Sequence, residues 1–204
     1  MKRVNDIFYS LQGEGFNTGR AAVFIRFAGC NLRCPFCDTD FDSFREMTDE
    51  EIIEAIAPYK SRFVVLTGGE PTLQVDEAFV DLLHSHGYEV AMESNGTRPA
   101  PSHLDWLTVS PKSLPATPSN RRGASEGKEP DEIKIVFENE DALKQILSGL
   151  PLLSERGGGR LYLQPCDTGN ALRNRQITAA CVDYIKHHPE WRLSLQTHKL
   201  IGIE

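Results

Sequence analysis

Seven short runs rich in Val, Ile and Phe recur along the chain, each set apart from the next by a stretch of helical periodicity or by turn residues. They are Ala22–Phe27, Phe63–Leu66, Tyr88–Met92, Trp106–Val109, Ile133–Phe137, Arg160–Leu163 and Arg192–Leu195. Near-continuous apolar runs of this length read as strands covered on both faces. Between them, Thr48 with Glu51 forms a capping-box start for a helix running to about Ala57, ahead of Pro58. A second helix, about Val75–His86, stops at Gly87, and two more are expected near Glu140–Leu150 and Asn174–His187. Strands alternating with helices specify a parallel sheet of βα units. A complete eight-unit barrel takes about 250 residues, so 204 residues with six or seven strands imply an α/β fold built as a truncated, partly open (β/α) barrel. One domain spanning 1–204 is expected, with a long loop at 113–130, where Pro, Ser and Gly accumulate.

The ends of these strands carry the chemistry. Directly after Ala22–Phe27 comes Gly29-Cys30-Asn31-Leu32-Arg33-Cys34-Pro35-Phe36-Cys37-Asp38, which places three of the five cysteines within eight residues. A loop at the C-terminal end of a parallel strand is where α/β folds build their sites. Three thiolates hold three irons of a cubane and leave the fourth iron open, whereas iron–sulfur clusters ordinarily take four cysteines. Zinc would want a fourth ligand, and the first histidine is as distant as His84. Burial of all three as small hydrophobes conflicts with the Gly29 and Pro35 loop signals. The remaining cysteines, Cys166 and Cys181, make an odd total that argues against a disulfide framework; Cys181 reads as core, and Cys166 either as core or as a neighbour of the site.

Val64-Val65-Leu66-Thr67-Gly68-Gly69-Glu70-Pro71 runs a buried strand into a Gly-Gly turn and a carboxylate. Glycines let backbone approach a ligand closely, and Glu70 can pair with an ammonium; taken alone, the stretch is also an ordinary βα turn. Three further stretches are individually ambiguous. Ser10-Leu11-Gln12-Gly13-Glu14-Gly15 sets an amide and a carboxylate between glycines, which suits the donor and acceptor edge of a heterocycle or a solvated turn. Cys37-Asp38-Thr39-Asp40-Phe41 offers hard oxygen ligands of the kind Mg²⁺ takes, or a surface turn. Gln196-Thr197-His198-Lys199, read as part of a strand, puts Gln196 and His198 on one side. Arg26 sits inside a strand, where a charge needs a partner, and Glu93 to Thr97 closes another strand in a turn.

The cysteine spacing with an aromatic before the last thiol, followed in order by Gly-Gly-Glu-Pro, resembles the radical S-adenosylmethionine (SAM) superfamily. Together with LQGEG near the start, CDT after the cluster, Ser110-Pro111-Lys112 and the terminal QTHK, it resembles more narrowly the 7-carboxy-7-deazaguanine synthase family, over essentially the whole chain. The resemblance implies the radical SAM type of truncated barrel and a [4Fe-4S] cluster on Cys30, Cys34 and Cys37. SAM would be chelated by the open iron and cleaved to a 5′-deoxyadenosyl radical. It further implies rearrangement of 6-carboxy-5,6,7,8-tetrahydropterin to 7-carboxy-7-deazaguanine with loss of ammonia, in queuosine and deazapurine biosynthesis. Leu11, Gln12, Gly13, Glu14, Arg26, Thr67, His198 and Glu204 would meet the pterin. Phe36, Gly69, Glu70, Glu93, Ser110, Pro111, Lys112 and Gln164 would line the SAM site, and Thr39 would ligate Mg²⁺. No protein side chain is assigned as the catalytic group, because the SAM-derived radical removes the hydrogen atom. A homodimer and an electron donor such as flavodoxin are implied in the same way. Two rivals are a glycyl-radical activase, which would share the cysteines and GGEP but not the terminal motifs, and a non-enzymatic cluster-binding module.

The net charge of −7 gives no bulk support for a nucleic-acid partner. No apolar run approaches the roughly 20 residues of a membrane span, and no signal-peptide core follows Met1. A cytoplasmic protein with a small-molecule substrate is therefore expected.

Overall fold

The computed structural model describes residues 1–37, 43–112, 127–150 and 160–203. Among them, nine strands form one sheet in the order β3-β1-β2-β4-β5-β6-β7-β8-β9. The strands are β1 (Lys2–Leu11), β2 (Ala21–Phe27), β3 (Arg45–Met47), β4 (Phe63–Gly68), β5 (Glu89–Ser94), β6 (Trp106–Val109), β7 (Glu132–Phe137), β8 (Arg160–Pro165) and β9 (Trp191–Leu193). The helices are α1 (Asp49–Ile56), α2 (Glu77–Ser85), α3 (Glu140–Ser148), α4 (Ala171–His187) and α5 (Thr197–Ile201). From β2 to β9 every pairing is parallel, whereas β1 runs antiparallel to both β2 and β3. The sheet is not closed, in keeping with the truncated barrel expected from chain length.

The helices begin where short polar side chains can accept the orphan N–H groups of a first turn. Thr48 and Glu51 make a reciprocal capping box on α1, and Asp76, Asn139 and Asn170 cap α2, α3 and α4. The Asn170 cap starts α4 one turn earlier than the periodicity suggested. No helix among the described residues is long and apolar enough to cross a membrane.

The period of two along each strand divides the sheet's faces. Val23, Ile25 and Phe27 of β2, Val64 and Leu66 of β4, and Val90 and Met92 of β5 pack outward in the core that includes Ile52, Ile56, Phe79 and Leu83 of α1 and α2. Ile133, Ile135 and Phe137 of β7 do the same with Leu143, Ile177 and Cys181 of α3 and α4. The opposite parity faces the concave side. At its lower end lies a small apolar cluster of Phe8, Ala22, Phe24, Phe63, Val65 and Ala91, against which Trp106 packs. Higher up the same parity carries Arg26, Thr67, Glu93, Lys134 and Gln164, so a polar interior follows from strand geometry alone.

The sheet's open side is bridged by the segment after β1 and the segment after β9. Thr197 donates from its backbone N–H (3.0 Å) and its hydroxyl (2.9 Å) to the carbonyl of Gly13. The Gly15 N–H donates to the Ser194 hydroxyl at 3.0 Å, and Ser194 in turn donates to Gln164 Oε1 at 3.0 Å. Phe16 then stacks on Trp106, and the Arg160 guanidinium lies over both rings, 4.0 Å from the Phe16 centroid and 5.1 Å from that of Trp106. This group of two rings and a cation lies across the lower end of the barrel, with the Phe16 ring itself still exposed.

Candidate active site

The concave side holds a cavity of about 300 Å³, a volume typical of small-molecule sites. Its upper wall is made by the C-terminal ends of the parallel strands. Cys30, Cys34, Phe36 and Cys37 enter from the loop after β2, Gly69 from the turn after β4, Ser110 and Lys112 after β6, and Cys166 and Asp167 after β8. Its lower wall is made by Leu11, Gln12, Gly13 and Glu14, with Arg26, Thr67, Glu93, Lys134, Gln164, Gln196 and His198 around it.

Gly29, at φ +84°, turns the chain out of β2 into the cysteine loop. The loop is held against the β4 turn by two bonds, from Gly69 N to the Phe27 carbonyl (2.8 Å) and from Glu70 N to the Gly29 carbonyl (2.9 Å). A Cβ at Gly69 would stand 1.9 Å from the Gly29 oxygen, so glycine is required by the close approach of two backbones. Cys30 Sγ accepts from Leu32 N at 3.4 Å and, more weakly, from Asn95 Nδ2 at 3.9 Å. Burial pushes the Cys30 and Cys34 thiols up, and each is raised further by the charge of the neighbouring cysteines, while the Lys112 ammonium pulls Cys34 back down. All five cysteines are free thiols. Among the described residues no three His, Cys, Asp or Glu side chains converge as ligands of a single ion. Three thiols spread around one wall, with N–H donors to sulfur, fit a cubane that leaves one iron open to the cavity.

At the other end the charges are dense and buried. Lys134 Nζ is ion-paired to Glu14 Oε2 and lies 3.6 Å from Glu93 Oε2. Gln12 Nε2 donates to Glu93 Oε1 at 2.9 Å, its Oε1 accepts from Glu14 N at 3.1 Å, and Gln196 Nε2 donates to Glu14 Oε1 at 2.9 Å. Burial alone would raise the Glu14 carboxyl; the Lys134 ammonium and the bonds from Lys134 and Gln196 outweigh it and hold the carboxyl down to about 2. Burial lowers Lys134, but the Glu14 and Glu93 carboxylates more than compensate and raise it. Glu132, 1 % exposed, is raised by burial although Phe16 N donates to it at 2.8 Å.

Of the residues singled out from sequence, Leu11, Gln12, Gly13, Glu14, Arg26, Thr67, His198, Phe36, Gly69, Glu93, Ser110, Lys112, Gln164 and the three clustered cysteines are brought to this cavity. Thr39 and Glu204 lie outside the described residues. Pro111 is buried beside the cavity wall rather than in it. Glu70 is 0 % exposed and does not reach the cavity. Its carboxylate accepts from Thr72 N, Thr72 Oγ1, Ser94 Oγ and Asn95 N, so it holds the turn and the end of β5 together. Gln196 and His198 do not share a strand: β9 ends at Leu193, and His198 lies in α5 with its ring packed over Gly13. Sequence reading passed over Lys134, Glu132 and Asp167. The first two had a signal: in Glu132-Ile133-Lys134-Ile135 the charged residues have the inward parity of a strand whose other face is covered by helices.

The chain matches the radical SAM superfamily over residues 24–157. It is 48% identical over 203 residues to a 7-carboxy-7-deazaguanine synthase of Bacteroides thetaiotaomicron, covering 100% of this chain and 99% of that one. With a 7-carboxy-7-deazaguanine synthase of Bradyrhizobium diazoefficiens it shares 42% identity over 222 residues, covering 98% of each. The crystal structure of QueE from Escherichia coli superposes with a TM-score of 0.74 at 26% identity, over 95% of this chain and 93% of that one. With three thiols on the wall of a sheet-lined cavity and full-length identity of this order, the chain is an enzyme of the radical SAM superfamily, to which a [4Fe-4S] cluster and SAM are intrinsic, and it belongs to the 7-carboxy-7-deazaguanine synthase family.

Proposed function

We propose that this enzyme converts 6-carboxy-5,6,7,8-tetrahydropterin to 7-carboxy-7-deazaguanine with loss of ammonia, serving queuosine and related deazapurine biosynthesis in the cytoplasm. The observation that carries the reading is the polarity of this cavity, with thiols at one end and a buried set of hydrogen-bond acceptors at the other. Cys30, Cys34 and Cys37 would hold the cluster, and Phe36, Gly69, Glu93, Ser110, Lys112 and Gln164 would surround SAM. When bound, cluster and SAM together supply a carbon-centred radical able to take a hydrogen atom from the substrate.

The protein's own part is to bind and orient. Glu14, held ionised by Lys134, and Glu93 beside it offer acceptors to the N–H edge of an aminopyrimidinone, with the Gln12 amide locked between them. Arg26 supplies a fixed guanidinium fork for the pterin carboxylate, and His198 covers the same face above Gly13. Thr39 as the Mg²⁺ ligand, the Glu204 carboxylate as a substrate contact, a homodimer and a flavodoxin-like electron donor complete the reading on family grounds. Glu70 belongs to it as the support of the SAM-side turn.

The test is anaerobic turnover of the reconstituted enzyme with the carboxytetrahydropterin, SAM, dithionite and Mg²⁺, followed by mass. Deazaguanine formed over many turnovers with little SAM consumed is the expected result. SAM cleavage without deazaguanine would mean the substrate is wrong.

A further inference from the structure

Lys134 is the least expected residue in the cavity wall. It comes from the middle of β7, its side chain is only 5 % exposed, and three carboxylates surround it: Glu14 from the loop after β1, Glu93 from β5 and Glu132 two residues back on its own strand. Through Glu14 it reaches Gln196 and the entry to α5, and through Glu93 it reaches the Gln12 amide. A compact ammonium can satisfy several acceptors at once, which an amide or hydroxyl at this position could not do without leaving buried anions unpaired.

On the reading that the lower wall receives the pterin, we infer that Lys134 is a positioning residue: it holds Glu14 and Glu93 as an oriented pair of anionic acceptors, and so fixes the enzyme's affinity for the aminopyrimidinone edge without itself taking part in the chemistry. Two observations support this. Every acceptor it holds faces the cavity, whereas its own ammonium is used up by those acceptors. The groups facing Glu14 are Lys134 and Glu132 from β7, Glu93 from β5, Lys112 from the segment after β6, and His198 from α5. Among the described residues Lys134 is the only cation in contact with its carboxylate, so its loss leaves Glu14 without a contacting positive charge.

The experiment uses the full chain with Lys134→Met, Glu14→Gln and the double variant. For Lys134→Met the KM for the carboxytetrahydropterin is expected to rise on the order of 10- to 100-fold, with kcat at saturation far less affected and the SAM requirement unchanged. The deficit should deepen as pH falls from about 8 to about 6, because a buried carboxyl without its ammonium takes up a proton in that range; wild type, measured alongside, is the reference. In Glu14→Gln protein, adding Lys134→Met should cost little more, since the lysine's main client is already gone. A second readout needs no turnover. In protein carrying ¹³C-labelled glutamate, the carboxyl resonance abolished by Glu14→Gln should titrate several pH units higher in Lys134→Met than in wild type.

An unchanged Glu14 titration, an unchanged KM, or effects of Lys134→Met and Glu14→Gln that multiply in full would each overturn the inference. If Lys134→Met does not fold, Lys134→Gln takes its place in the same cycle, with the same outcomes decisive. A wild-type enzyme that makes no deazaguanine would overturn the reading of the substrate instead, while the carboxyl titration still decides whether Lys134 governs Glu14.

Discussion

Substituting Gly69 by alanine tests how the cluster loop and the SAM-side turn are held together. The added Cβ would stand 1.9 Å from the Gly29 carbonyl oxygen, 2.5 Å from its carbon and 3.2 Å from the Cys30 nitrogen. These are backbone atoms, so no rotamer change relieves the clash. Restoring an ordinary contact moves the β4 turn and the cysteine loop apart by more than about 1 Å, which stretches both bonds between them, Gly69 N to Phe27 O and Glu70 N to Gly29 O, past useful length. Overpacking of this kind costs about 1–3 kcal/mol, and each hydrogen bond about 1 kcal/mol. A loss of at least about 2 kcal/mol lowers Tm by roughly 4–8 °C in a chain of this size. The assay is a thermal melt of the cluster-free protein, followed by iron and sulfide analysis after reconstitution. Gly149→Ala is the control: its Cβ meets only the Ile146 carbonyl, at 3.4 Å, with φ at −85°, and it should stay within about 0.5 kcal/mol of wild type. A Gly69→Ala protein that melts with wild type and takes up a full cluster would refute the argument.

Other outcomes follow from the same structure. Glu70→Gln replaces an acceptor of four hydrogen bonds by a group that must donate at one of them; roughly 2–4 kcal/mol should be lost in urea denaturation, with cluster retention weakened through Asn95. Cys30→Ala, Cys34→Ala and Cys37→Ala should each fold but reconstitute without a stable [4Fe-4S] cluster, whereas Cys181→Ala should keep full iron content and lose stability only, because that thiol is buried in the α4 core. Glu14 and Asp167 are both held down to about 2, Glu14 by Lys134 against the opposing effect of burial and Asp167 by the Gly169 N–H, Lys199 and Asn174. A depressed carboxyl stabilises above its unfolded value near 4 and ceases to do so as pH falls through its folded value. Denaturant midpoints should therefore fall between about pH 4.5 and pH 2, and Glu14→Gln should flatten that limb.

The parallel core was legible because its strands are short runs rich in Val, Ile and Phe, and all seven expected strands lie within or overlap observed ones. What escaped was β1. Its alternation is broken by a bulge between Val4 and Asp6, and the first residue on its helix-covered face is Lys2, buried by pairing with Asp49. β3, three residues long, has too little sequence to announce itself. QTHK was misread as a strand because Leu193 and Leu195 continue the apolar pattern, while the start of α5 is fixed by tertiary bonds from Thr197 to Gly13. The motif residues were found by resemblance, and most arrive at one cavity. Glu70 shows the limit of that route: a motif fixes which residue is present, and the packing around it decides which way the carboxylate points. Lys134 lay on the inward side of its strand for anyone following parity, but a lysine between two isoleucines is easily taken for a solvated one.

The bridge between Gly13 and Thr197 spans 184 positions of the chain. Contacts so distant in sequence are the slowest to form and gain least from local propensity. A polypeptide emerging from synthesis can pair β1 to β8 and present its cysteines before the residues that close the lower wall exist. A chain clipped shortly after β9 would retain its sheet and its iron ligands yet lack the Gln196 and His198 side of the cavity.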